Sequence, residues 1–93
     1  MREKYIEQRL VKAVKAAGGM ALKFISPSLA GMPDRLVLLP ESKMAFVEVK
    51  RSGMKPRPLQ IRRHEILRRL GFKVYVLDEQ QQIEVILNEI QAT

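Results

Sequence analysis

The chain has 93 residues, 46% of them hydrophobic and 29% charged, which allows one globular domain and excludes a disordered chain. It has no cysteine and a single histidine, so disulfides, thiolate zinc sites and histidine metal clusters are all excluded, and any metal would need oxygen ligands, as Mg²⁺ or Mn²⁺ do. The net charge is +7, and because Asp78, Glu79, Glu84 and Glu89 are the only charged side chains after Leu77, residues 1–77 carry +11.

Residues 3–17 read as a helix, with Ile6, Leu10, Ala13, Val14 and Ala17 on one apolar stripe and Gly18-Gly19 ending it. The opening MREKYIEQRL mixes both signs of charge and lacks the apolar core of a signal peptide. No apolar run approaches the roughly 18 residues that span a bilayer, so a cytoplasmic location without a membrane partner is expected. Residues 20–26 read as a strand with Ala21, Lys23 and Ile25 on one face. SPSLAGMP is a loop marked by its serines, Gly31 and two prolines. Residues 34–40 and 44–50 read as two strands of a hairpin reversing at ESK.

A basic loop, RSGMKPRP, follows, and Pro58 suits the first turn of a second helix running to Leu70. The apolar side of that helix is expected to be Leu59, Ile66, Leu67 and Leu70, with Arg63 packing its stem beside them; His64, one turn after Gln60, is expected to be partly exposed, the alternative being that it borders the site. Residues 72–78 read as the fourth strand and 79–91 as a last helix with Ile83, Ile86, Leu87 and Ile90 inward. The order α-β-β-β-α-β-α implies an α/β fold. Its mixed central sheet has a hairpin on one side, a right-handed parallel crossover into the last strand, and flanking helices.

Alternation puts Phe46, Glu48 and Lys50 on one face of the third strand, and the hairpin carries Asp34 to the far end of that strand, beside Glu48. Two adjacent carboxylates repel unless a cation lies between them. A hard divalent ion fits such a pair, with the backbone carbonyl of Val49 as a third protein ligand. Lys50 would then orient or deprotonate a water, or stabilise developing negative charge. Glu7 lies at the edge of the first helix's stripe, either as a solvated flank residue or as an acid reaching under the sheet. From Lys50 to Lys73 nine basic residues face one acid, Glu65. Such a zone reads as a surface for nucleic acid, the other readings being a solvated face or a patch for anionic lipid. Arg51, Lys55, Arg57 and Arg62 are the candidate phosphate contacts, which position DNA without reading sequence.

GMPDR, FVEVKRSG and PRPLQ, in that order, resemble the VRR-NUC nucleases, a branch of the PD-(D/E)XK superfamily. GGMALKFISPSLAGMPDRLVL and RRLGFKVYVLD extend the resemblance to nearly the whole chain. It implies a restriction-endonuclease-like domain over residues 1–93. Asp34 and Glu48 would be metal-binding acids, Lys50 the catalytic lysine, Glu7 an outer acid from the first helix, and Gln60 the glutamine that opens the basic helix beside the site. Gly31 and Pro33 would shape the turn presenting Asp34, and Lys23 and Ser26 would contact phosphate or support the site. The implied activity is a Mg²⁺- or Mn²⁺-dependent DNA endonuclease leaving a 5′-phosphate. The small stand-alone phage and bacterial members that the chain resembles imply a homodimer acting on four-way (Holliday) junctions in the bacterial or infected host cell. A flap, a fork or unspecific DNA is the alternative substrate. A DNA-binding module that keeps the fold without cleaving is the alternative from another class.

Overall fold

The computed structural model describes residues 1–93, and its elements follow the expected order: α1 (Glu3–Ala16), β1 (Met20–Lys23), β2 (Arg35–Leu39), β3 (Lys43–Val49), α2 (Pro58–Arg69), β4 (Val74–Leu77) and α3 (Gln82–Gln91). The strands form one sheet in the order β1-β2-β3-β4. The first two pairings are antiparallel and the last, β3 with β4, is parallel. The mixed sheet with a hairpin and one crossover is therefore as the sequence pattern predicts. No helix is long and apolar enough to cross a membrane.

β1, β2 and β4 are shorter than the sequence implies, and β3 keeps its seven residues one position earlier. β1 ends at Lys23 instead of residue 26, although Phe24 N–H still donates to Asp34 C=O at 2.8 Å. Asp34 is a bend just before β2, and β4 begins at Val74, two residues later than expected. α3 begins at Gln82 because Gln82 folds its side chain back to accept from the N–H groups of Asp78 and Glu79, at 3.0 and 3.2 Å.

The two faces of the sheet are covered differently. Against α1 and α3, Val37, Leu39, Ala45, Val47, Val49 and Leu77 meet Ile6, Leu10, Val14 and the four inward residues of α3 in the main apolar core. The opposite face carries a smaller cluster of Phe46, Leu67 and Val74, extended by Phe24, Met32, Leu36 and Met44.

α2 covers that second face and departs from the expected orientation. Its buried residues are Gln60, His64 and Leu67. Leu59, Ile66 and Leu70 are exposed, Leu70 by 68%. The reason lies underneath. Towards the C-terminal end of β3 the sheet presents Glu48, which must be met by hydrogen-bond donors. The turns carrying Gln60 and His64 therefore lie on Glu48, and only Leu67, farther along the same stripe, lies on Phe46 and Val74. His64 is thus buried, at 2% exposure, and not the partly exposed residue that its place in the sequence implies. Arg63 is half-buried as expected, and its Nε donates to Ala30 C=O at 2.9 Å, tying α2 to the loop before Asp34.

Candidate active site

The C-terminal ends of β1, β3 and β4 meet the start of β2 at one edge of the sheet, beside the N-termini of α1 and α2. Asp34 is presented there by the turn Gly31-Met32-Pro33. Gly31 has φ +85°, and a Cβ on it would lie 2.8 Å from Leu59 Cγ, so both backbone and packing require glycine. Arg35 pairs with Val47, so Asp34 falls one step further on, opposite Glu48. Its Oδ1 accepts Val49 N–H at 3.0 Å. In an extended residue the C=O points the same way as the N–H, so the Val49 carbonyl opens towards Asp34 as well.

Glu48 is 3% exposed. Its Oε2 accepts from Gln60 Nε2 at 3.2 Å, and its Oε1 lies 3.4 Å from His64 Nε2. Gln60 has two tasks, since its Oε1 also accepts Arg57 N–H at 2.8 Å and so caps the first turn of α2. That second bond fixes the amide with its NH₂ towards Glu48. Burial, with the Asp34 charge next, pushes the Glu48 carboxyl up to about 7, against the pull of Lys50 and Arg57. Burial also raises Asp34, against its bond from Val49 N–H, and the charges of Glu7 and Glu3 add to the rise. Two acids held near each other, both raised by burial and by neighbouring carboxylates, are the electrostatic signature of a cation site.

Lys50 follows the end of β3, its N–H donating to Leu77 C=O at 2.8 Å, and its charge reaches both Glu48 and His64. Glu7 is near enough to act on Asp34, but its Oε2 is ion-paired with Arg35 Nε at 3.1 Å. Arg35 also donates from Nη1 to Ala21 C=O at 3.1 Å, bridging β1 to α1. Lys23 is exposed and pairs across β1 with Arg35. Ser26 is half-buried in the following loop. Arg51, Lys55, Arg57 and Arg62 are exposed, and none is ion-paired: the ion pairs of the molecule are Glu7–Arg35 and Glu48–His64. Of these four, Arg57 is the one whose charge is felt at Glu48.

Two residues were missed by sequence reasoning, Glu3 and Arg35. Glu3 acts by charge on both acids, and its signal is its place one turn before Glu7. Arg35 directly follows Asp34, and strand alternation turns it to the opposite face, which α1 covers in the fold. His64 follows Gln60 by one helical turn, and of its two readings the structure has the one in which it borders the site. A groove of about 730 Å³ lies between α1 and α3 on the other side of the sheet. None of the acids of the site lines it.

A sequence model of the VRR-NUC domain matches residues 2–81. The chain belongs to the VRR-NUC family. It is 52% identical over 80 residues, 86% of each chain, to “Putative nuclease p44” of Acyrthosiphon pisum secondary endosymbiont phage 1. A solved VRR-NUC domain superposes with a TM-score of 0.87 at 31% identity, covering 95% of this chain and 97% of that one. The resemblance carried by GMPDR, FVEVKRSG and PRPLQ is thus a family relationship, and the α/β architecture of this nuclease domain is that of its relative.

Proposed function

We propose that this VRR-NUC domain is a divalent-metal-dependent, structure-selective DNA endonuclease whose preferred substrate is a four-way junction. One observation carries the reading: Asp34 and Glu48 face each other at the sheet edge with Lys50 beside them, where the basic loop begins. The donor set fits Mg²⁺ or Mn²⁺, being all oxygen, with two carboxylates and the Val49 carbonyl. No three Asp, Glu, His or Cys side chains cluster as a metal cage, so water and phosphate oxygens would complete the shell. When bound, such an ion acidifies a water and offsets charge on phosphate.

The chain's residues supply the rest. Asp34 and Glu48 bind the cation, while Val49 N–H holds Asp34 in place and Gln60 holds Glu48. Lys50 hydrogen-bonds the attacking water or a non-bridging phosphate oxygen as negative charge develops. Arg57 and Lys55, on the loop leading to α2, anchor flanking phosphates, with Arg51 and Arg62 further out. Lys23, at the end of β1, and Ser26, in the loop after it, border the same edge. Glu7 acts from behind the sheet, through its charge on Asp34 and its pair with Arg35. Junction preference is supported by the basic zone without base-reading features and by the small size, which suits a two-fold dimer making paired cuts.

The test is cleavage of a labelled four-way junction, a flap and a linear duplex with Mg²⁺, Mn²⁺ or EDTA, using wild type and Lys50→Ala. Cuts confined to the junction, absent in EDTA and slowed about 10²-fold or more by Lys50→Ala, are expected. Cuts in the flap alone would replace the substrate. Binding without cuts on any substrate, unaltered by Lys50→Ala, would overturn the nuclease assignment in favour of a binding module.

A further inference from the structure

The nuclease reading gives Gln60 a part and leaves its neighbour on α2 without one. His64 is almost wholly buried, and it approaches the Glu48 oxygen that Gln60 does not use, with the two side chains 2% and 4% exposed. Burial holds the ring towards its neutral form, and the charges of Arg68 and Lys50 act in the same direction. A neutral ring with hydrogen on Nε2 is a donor there without adding positive charge that would compete with a cation.

The torsion that turns a glutamate carboxylate about its last bond is soft. One hydrogen bond leaves that turn open; two donors, one to each oxygen, close it. Each carboxylate oxygen has two lone pairs, so accepting one bond leaves the other for ligation. A leucine at this position would fill similar space but leave Glu48 Oε1 buried without a donor. We propose that His64 is a positioning residue: it donates from Nε2 to Glu48 Oε1 and, with Gln60 on Oε2, clamps the carboxylate so that its remaining lone pairs face the cation site beside Asp34. The clamp rests on the reading of Asp34 and Glu48 as metal-binding acids.

The test is Mn²⁺ titration of the intact chain without DNA, by calorimetry and water-proton relaxation, for wild type, His64→Leu and His64→Gln. Glutamine places its amide nitrogen near the position of Nε2. His64→Leu should weaken Mn²⁺ binding about 10-fold or more while staying folded by circular dichroism, and His64→Gln should recover it to within about 3-fold of wild type. Junction cleavage should fall in the same order at low Mn²⁺ and converge as Mn²⁺ saturates. A folded His64→Leu protein that binds Mn²⁺ and cleaves like wild type would overturn the clamp. If His64→Leu does not fold, ¹⁵N spectra of the wild-type ring at pH 8, where Glu48 is ionised, decide the matter. Hydrogen on Nε2 supports the clamp, and hydrogen on Nδ1 overturns it. Wild type that neither binds Mn²⁺ nor cleaves would remove the metal reading itself, a result distinct from a working enzyme indifferent to His64.

Discussion

Glu48 shows how a site is bought with stability. A carboxylate at 3% exposure facing a second acid is costly when ionised, and its pKa near 7 measures that cost. Between the ordinary value of 4.5 and about 7 the folded chain binds a proton there that the unfolded chain has lost. The stabilising contribution is therefore complete at low pH and disappears as pH rises through 7. His64 acts in the opposite sense: its lowered pKa keeps it neutral when folded, so its contribution is lost as pH falls below about 6.5. Glu48→Gln separates the two, since it mimics the protonated acid and leaves the histidine. In metal-free buffer at pH 8 it should raise stability by on the order of 2–3 kcal/mol, and at pH 5 by little. Junction cleavage should be abolished at both. Urea titrations at the two pH values check this, and equal stability of mutant and wild type at pH 8 would show that Glu48 is not strained by its charge. The residues of this site were unevenly visible in the sequence. Asp34, Glu48 and Lys50 follow from strand alternation and hairpin register, which are fixed by chain geometry. Glu3 and Arg35 were missed because their parts depend on which helix packs over which face, and alternation does not specify that.

At the level of elements, the order of helices and strands was readable, since apolar periods of two and of nearly four residues are local signals. The orientation of α2 was not. Its sequence offers a leucine and isoleucine stripe, but the sheet offers Glu48, and the polar contact prevails because an unpartnered buried carboxylate costs more than exposed aliphatic side chains. A hydrophobic pattern misplaces any helix whose buried face is a functional one. The observed packing makes a discriminating prediction. Leu67→Ala, which empties space against Phe46 and Val74, should destabilise the fold by about 2–4 kcal/mol. Leu70→Gln, at a position 68% exposed, should change stability by no more than about 0.5 kcal/mol. Chemical denaturation of both variants in dilute solution measures this. The reverse ranking would restore the orientation implied by the apolar pattern and detach Gln60 and His64 from Glu48.

Across the whole molecule, charge is sorted by element. The loop after β3 and the outer side of α2 are basic and free of ion pairs, whereas α3 and the turn before it carry four acids without a lysine or arginine. A polyanion approaching the sheet edge is drawn to the side that carries Lys55, Arg57 and Arg62 and repelled from α3, so charge orients the encounter before any specific contact forms. Contacts of that kind release counterions. The logarithm of the binding constant for duplex or junction should fall linearly with the logarithm of salt concentration, with a slope of about −0.9 per phosphate neutralised. Lys55 is exposed and lies outside the hydrogen-bond network that holds Glu48, so Lys55→Ala removes charge without disturbing the acids. In Ca²⁺, to limit cleavage, the variant should weaken binding to junction and linear duplex by the same factor and make the slope shallower by about 1. Loss of affinity for the junction alone, with the duplex slope unchanged, would mean that Lys55 reads branch geometry, and substrate selection would then reside in the basic loop.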